Sequence, residues 1–361
     1  KMKDSVDGGE VVIAEDDAAA WLQVREELKE EATRLGLGPT AITTAAPAAR
    51  LPEFEAWLEK GFHGEMASMA REDRMERRRD LGVILPNVQC VIVSSLIYWP
   101  GRSGFPKEQE SGVHGAVSCY AWGEDYHEVL GKKLKALAEW LHHRCGGTGK
   151  WYVDTGALME RDLGERAGLG FIGRNSLLIN RKLGSGFFLG EVLSTLPLPP
   201  DIPSESRAGC GTCTKCISAC PTGAIDAKGY VIDARKCISY LTIEHKGSID
   251  PELRPLMKNL IYGCDICQQV CPWNRGEKGE GSPLFGPAIE EVAAPQLKEL
   301  LLLDQESFTA RFEGSPIKRI GLVRMVRNAA VAAGNARDPP SPLLRPRAKR
   351  RAAASVGDRG G

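Results

Sequence analysis

Near the N-terminus apolar positions recur at helical spacing. Trp21, Leu22, Leu28 and Leu35 fall near one face of a helix over 17–35, which Gly36-Leu37-Gly38-Pro39 ends. Further helices are predicted over 52–60 and 65–79, the second crowded with Arg71, Glu72, Asp73, Arg74, Glu76, Arg77, Arg78 and Arg79. A β-rich run over 88–97 follows Pro86-Asn87 and reads as a strand, with Cys90 in its core. A glycine-rich loop spans 100–115. Leu130, Leu134, Leu137 and Leu141 then mark one face of a strong helix over 125–141. Short strands are predicted at 151–153, 177–179 and 187–193, with a charged helix at 158–167. Pro197, Pro199, Pro200 and Pro203 read as a linker that closes this alternating first domain.

The pattern yields an N-terminal extension (1–16), an α/β (α+β) domain (17–203), a cysteine module (204–280), an alanine- and leucine-rich helical region (281–337) and a basic tail (338–361). The tail reads as disordered or non-native. At 361 residues with 42% hydrophobic and 26% charged positions, full-length disorder is excluded. No apolar run is long enough for a membrane span, and the expected location is the cytoplasm. The acidic stretch 4–20 resembles no targeting segment. The chain opens Lys1-Met2-Lys3, so an organellar location stays open.

Net charge is zero, from 47 bases and 47 acids, but the ends differ. Residues 1–31 hold ten acids and four bases. Residues 311–351 hold eleven bases against Glu313 and Asp338. A basic end suits a polyanion such as nucleic acid, or simply solubilises.

Eight of the eleven cysteines lie between 210 and 271. Cys210, Cys213, Cys216 and Cys220 before Pro221 give C-x2-C-x2-C-x3-C-P, the bacterial ferredoxin run. Cys264, Cys267 and Cys271 before Pro272 lack one cysteine of a repeat, which Cys237 supplies. In such runs the fourth cysteine crosses to the other cluster. One 4Fe–4S cluster is therefore assigned to Cys210, Cys213, Cys216 and Cys271, and the other to Cys220, Cys237, Cys264 and Cys267. Two zinc sites of four thiolates each are the competing reading. Two clusters relay single electrons, so the upstream domain is expected to house a substrate or another redox centre.

The array continues as Cys220-Pro221-Thr222-Gly223, Cys237-Ile238-Ser239-Tyr240 and Gly263-Cys264-Asp265-Ile266-Cys267. Upstream stand Trp122-Gly123-Glu124-Asp125-Tyr126-His127, Val153-Asp154-Thr155-Gly156 and the block from Glu165 to Asn175. Downstream is Gly314-Ser315-Pro316-Ile317-Lys318-Arg319. Together, over roughly 17–335, they resemble the epoxyqueuosine reductase family.

That resemblance implies a cobalamin-binding domain of nitroreductase-like type, reduction of epoxyqueuosine to queuosine at the tRNA wobble position, and clusters that feed cobalt. It implies Asp154 as proton donor, with a carboxyl raised by burial against the corrin. From the residues alone Asp154 equally reads as an N-cap for the next helix. Arg78 is expected near cobalamin or on a solvated helix face. Tyr120, Ala121, Leu178, Leu189, Ser239 and His245 are further expected contacts; core packing competes for the two leucines and surface for His245. His127 is not expected to ligate cobalt, because Gly131 comes one residue too late for D-x-H-x-x-G. Ala157 stands where the family usually has proline, and Phe171 and Arg174 where it has tryptophan and lysine. The stretch 327–335 opens a HEAT-like repeat that collapses at Pro339-Pro340, which reads as a truncation or a gene-model artefact. Expected partners are epoxyqueuosine-containing tRNA and an external donor such as a flavodoxin or ferredoxin system, with the enzyme a monomer. A reductive dehalogenase and a non-catalytic two-cluster electron carrier are the rival readings; retention of cobalamin would exclude the carrier.

Overall fold

In a computed structural model the protein is described over residues 14, 17–101, 104–110, 112–203, 209–275 and 290–337. The first domain runs α1 (Ala18–Arg34), β1 (Thr40–Thr44), α2 (Leu51–Glu59), α3 (Glu72–Arg79), β2 (Cys90–Ile97), β3 (Ala116–Val117), α4 (Tyr126–Cys145), β4 (Gly149–Tyr152), α5 (Glu160–Arg166), β5 (Phe171–Ile172), β6 (Leu178–Ile179) and β7 (Phe187–Ser194). The cysteine region adds α6 (Lys215–Ala219), α7 (Ile238–Ile243), β8 (Leu260–Tyr262) and α8 (Ile266–Gln269). Helices α9 (Glu290–Ala293), α10 (Leu297–Leu301), α11 (Gln305–Arg311) and α12 (Gly321–Arg337) follow. Most of the N-terminal extension and the whole basic tail lie outside the described residues, as does 204–208 at the first domain boundary.

A four-stranded sheet, order β1-β2-β7-β4, organises the first domain, and its pairings are all antiparallel. This is an α+β sheet rather than a parallel βαβ one. Its Val/Ile/Leu-rich central strand β2 is buried at every position but the last, so both faces are covered. One face meets Leu130, Leu134, Leu137 and Leu141 of α4, all fully buried as their spacing predicts. The other meets Leu158, Leu163 and Leu169 around α5.

Three sequence expectations need correction. The helix over 65–79 is broken: a 3₁₀ turn (Ala67–Ala70) precedes α3, with Arg71 extended between them. Glu72 and Asp73 then open α3 and Arg77, Arg78 and Arg79 close it, which suits the helix dipole. On α1, Leu22 is 42% exposed, because Trp21, Val24, Leu28 and Ala32 define the buried face one position round. The proline-rich stretch near 200 is not free. Leu196 and Leu198 are buried, and the Asp201 carboxylate accepts from the Ile42 amide (2.8 Å) and from Lys29 (2.6 Å). The strand β1 itself, short and threonine-rich, carries no strong pattern and was not foreseen.

The C-terminal helices close onto the rest. Buried Asn328 donates to the carbonyls of Thr242 on α7 and Ile261 on β8, both at 2.8 Å. Arg324 and Arg327 spend their guanidiniums on the carbonyls of Ile243, Leu241, His245 and Gly247. Arg319 pairs with Glu244, Lys318 with Glu313 and Arg311 with Glu299. The basic run over 311–327 therefore serves internal packing first, and its charge is a poor measure of free phosphate-binding capacity.

Candidate active site and its cluster ligands

Strand β4 delivers Asp154 two residues past its end. There the chain turns so sharply that Thr155 N–H closes on the Val153 carbonyl, leaving Asp154 in the left-handed region (φ 51°). A non-glycine residue held there is strained and marks a functional candidate. The N-cap reading of Asp154 is wrong: the cap residue of α5 is Met159, and Asp154 faces elsewhere. Its carboxylate accepts from Tyr126 Oη at 2.7 Å and lies 3.4 Å from His127 Nε2, with the side chain 51% exposed. Asp125 caps α4 and holds His127 Nδ1 at 2.7 Å, fixing the ring. Burial pushes the Asp154 carboxyl up, but neighbouring His127, the Tyr126 hydrogen bond and the Arg319 charge outweigh it, so the net shift is downward. The raised carboxyl expected from sequence is thus not found in the polypeptide alone. Burial draws His127 down while Asp154 and Asp125 more than compensate, so it is raised.

Around this carboxylate lies an aromatic floor. Tyr126 stacks on Phe188 at 4.1 Å, Phe188 meets Tyr98 at 4.6 Å, and Tyr120 stands edge-on to Tyr126 and Phe188 at 6.1 and 6.2 Å. Tyr120 sits in a 3₁₀ turn (Cys119–Ala121) whose Ala121 is fully buried. Tyr262 approaches Tyr120 at 5.9 Å, and its hydroxyl donates to Pro316 O. The Gly314 carbonyl accepts from Asp125 N at 2.7 Å. These two bonds dock the Gly314–Arg319 segment on the site and bring the Arg319 charge within reach of Tyr120, Tyr126, Tyr262 and Asp154. Tyr126, His127 and Arg319 lie in the two motifs over 122–127 and 314–319, yet only the fold shows that they converge on Asp154.

The other expected contacts scatter. Arg78 is only 5% exposed, which removes the solvated-face reading. Its guanidinium lies 4.9 Å from the Phe54 ring centroid and donates to Met69 O, and burial with Arg74 nearby lowers it to about 10. Its neighbour Arg74 bonds the carbonyls of Thr155 and Gly156, both at 2.9 Å, tying α3 to the Asp154 turn. Leu178 is buried and Leu189 half-buried in the apolar face beside α5. Ser239 lies in α7, half-buried and two residues after Cys237. His245 pairs with Glu65 at 2.8 Å, away from the aromatic floor.

The eight cysteines gather around two neighbouring places. Cys210, Cys213, Cys216 and Cys271 line one cavity with Arg174, Asn175 and Trp273. Cys237, Cys264 and Cys267 lie within electrostatic reach of one another, Cys220 reaches Cys237 and Cys264, and Cys216 also reaches Cys267. Among the described residues no three His, Cys, Asp or Glu side chains are placed for a single metal ion. Arg174 holds the first set: its amide donates to Cys210 Sγ at 3.3 Å and its guanidinium to the Gly211 and Lys228 carbonyls. Phe171 packs edge-on to Trp273. Between cysteines of the second set, Asp265 accepts from Ser118 Oγ (2.5 Å) and Cys119 N (2.7 Å). It straps that cluster loop directly beneath the Tyr120 turn.

An electron-relay module strapped under an aromatic floor with a carboxylate at its edge defines an iron–sulfur oxidoreductase. The comparisons narrow the class. Residues 209–274 match the model of a 4Fe-4S double cluster binding domain, and 78–155 that of Epoxyqueuosine reductase QueG, DUF1730. The chain is 44% identical to the epoxyqueuosine reductase of Escherichia coli (strain K12), covering 87% of this chain and 82% of that protein. It is 40% identical to that of Pseudomonas aeruginosa over 87% and 86%. Among solved structures it matches an epoxyqueuosine reductase with a tRNA-Tyr epoxyqueuosine-modified stem loop (TM-score 0.80, 32% identity, 88% and 83% covered). It also matches the enzyme of Streptococcus thermophilus (TM-score 0.77, 32%, 88% and 82%). The chain belongs to the epoxyqueuosine reductase family. It is an oxidoreductase that reduces epoxyqueuosine to queuosine, with a domain for two 4Fe–4S clusters.

Proposed function

We propose that the chain carries out this reduction on epoxyqueuosine in tRNA, with Asp154 as the proton donor. One observation carries the reading: the strained Asp154 turn, Tyr126 and His127 meet at the aromatic floor that Asp265 ties to the cluster loop. The tRNA assignment is supported by the related structure that holds a modified stem loop.

The donor set fits the cofactors. Cys210, Cys213, Cys216 and Cys271 would hold one cluster, and Cys220, Cys237, Cys264 and Cys267 the other. Stacked Tyr126 and Phe188, with Tyr120 edge-on to both, offer an aromatic wall beside the Asp154 carboxylate that suits a corrin, and Ala121 is proposed to back it. Arg78, Leu178, Leu189, Ser239 and His245 are proposed to complete the cobalamin surroundings. The chemistry cobalamin supplies when bound and reduced is electrons at low potential for a strained carbon–oxygen bond. Asp154 places a proton at the departing oxygen. Tyr126 and Asp125-oriented His127 hold its carboxylate in position, and Arg319 adds positive potential. A bound corrin would cover the exposed side of Asp154 and raise it toward a donor's range.

The finer architecture belongs to the same proposal: a nitroreductase-like domain over 17–203, a two-cluster module over 204–280 and a HEAT-like helical region over 281–337. So does a cytoplasmic monomer reduced by a flavodoxin or ferredoxin system. No helix among the described residues is long and apolar enough to cross a membrane. The test is nucleoside mass spectrometry after anaerobic incubation of reconstituted protein, cobalamin and reductant with epoxyqueuosine-containing tRNA. Loss of one oxygen, absent with Asp154→Asn, is expected; full conversion by the variant would overturn the donor role.

A further inference from the structure

Strand β7 carries an unexpected residue. Its inward positions on the α5 side read Leu189, Glu191, Leu193, so a carboxylic acid interrupts an apolar row. Glu191 is 0% exposed and pairs in register with Val93 on one side and Tyr152 on the other. Neither of its carboxyl oxygens has a hydrogen-bond partner among the described residues. Opposite, Glu160 opens α5, and its Oε1 is likewise buried and unpartnered. The Asp154 backbone amide faces the Glu160 carboxyl, so the turn that strains Asp154 also joins the two acids.

An ionised carboxylate cannot be left buried and unpaired without a cost of several kcal/mol. Orphaned buried groups of this kind call for an explanation. The charged groups around the pair are few. Glu160 faces Asp154, His127 and Arg161; Glu191 faces Glu160 and Asp154. Arg161 turns its guanidinium to the Ser176 carbonyl. Burial and the Asp154 charge raise Glu160 to about 8, and burial with Glu160 and Asp154 raises Glu191 well above the carboxylate range. Burial without a partner and the neighbouring acids thus both favour the protonated form of the pair.

The reaction needs more protons than one carboxyl holds. Converting an epoxide to an alkene breaks both carbon–oxygen bonds, forms one carbon–carbon double bond, and takes up two electrons and two protons to release water. The reduced cofactors provide the electrons. Asp154 provides one proton and is left as a carboxylate. We infer that Glu160 and Glu191 form a buried proton reserve that recharges Asp154, so that the second proton also arrives through it. The three carboxyl groups are not hydrogen-bonded to one another at rest, so each hop needs a side-chain rotation: Glu160 gives its proton to the Asp154 carboxylate, Asp154 passes it to the oxygen, and Glu191 refills Glu160. Solvent restores the reserve between turnovers. Both glutamates act through Asp154 and are positioning residues rather than catalytic ones.

The inference rests on Asp154 being the donor, so the experiment separates the two. Glutamine copies the protonated glutamate in shape and charge but has no proton to give. Infrared spectroscopy of the reconstituted holoenzyme at pH 7 is expected to show protonated carboxyl bands, one of which disappears in Glu191→Gln and one in Glu160→Gln. Single-turnover conversion of epoxyqueuosine tRNA is then followed against pH. Each glutamine variant is expected to lose about tenfold at pH 8 and little at pH 6, where solvent protons substitute, a smaller effect than loss of a general acid itself. Absence of the bands in the unmodified enzyme overturns the reserve whether or not any variant folds. Bands that respond to the substitutions while the pH profile stays unchanged also overturn it. Full conversion by Asp154→Asn would sink the donor reading instead, and the relay with it.

Discussion

The cluster module and the Asp154 site solve opposite problems. The module draws its ligands from a single stretch, 210–271, and its spacing already names the chemistry. The site is assembled from Tyr126, His127, Asp154, Glu160, Glu191 and Arg319, six residues spread over nearly two hundred positions. Local ligand sets tolerate changes elsewhere, whereas a site gathered from distant elements depends on every joint that holds them. Here those joints are the Arg74 bonds to the Asp154 turn, the Asp125–Gly314 bond and the Asp265 strap.

The comparison can be broken most forcefully at a cluster ligand. Cys267→Ser is expected to abolish turnover and remove about half of the iron, since one of two clusters loses a thiolate; iron analysis and electron paramagnetic resonance measure it. Asp154→Asn should leave iron and cobalamin content unchanged yet lower conversion by about 10²–10⁴-fold, the usual worth of a positioned acid. Asp265→Ala tests the joint between the two regions. It removes the acceptor for Ser118 and Cys119 in a buried setting and should cost about 2 kcal/mol, read as a lower urea midpoint. Tyr126→Phe is a finer probe: losing one donor lets Asp154 rise toward its ordinary range, so the alkaline limb of the pH profile, where the donor loses its proton, moves upward with a rate loss below about tenfold.

Stability should also report the acids. Glu160 is held at about 8 against an ordinary 4.5, so between those values the folded chain keeps a proton that the unfolded chain has lost. Stability from this group therefore falls as pH rises through that window. Glu160→Gln should flatten the decline, seen as urea midpoints that differ less between pH 5 and pH 8.

Much of the fold was legible because periodicity reports burial. The leucine stripe of α4 and the buried run of β2 are found where they were expected. What escaped was conditional on packing. The sequence shows an arginine cluster over 71–79 but not that Arg78 is sealed against Phe54. Residue type alone offers Asp154 as a helix cap beside the donor role that the resemblance implies, and the tight turn after β4 rules out the cap. Glu191 was invisible as a site residue, since a lone glutamate in a short strand reads as solvent-facing until a helix covers it. His127 lay in a motif whose spacing argued against a metal ligand, and that spacing says nothing about a carboxylate one strand away.

Asn328 carries a consequence for how the molecule is made. Its amide holds strands of backbone from α7 and β8, segments that flank Cys237 and Cys264. Those segments leave the ribosome long before residue 328 does. Until α12 is made, these segments lack the Asn328 bonds and have only upstream ties such as the Asp265 strap. A nascent chain stalled before α12 is therefore expected to display its second set of cysteines without the Asn328 latch on the segments that flank them.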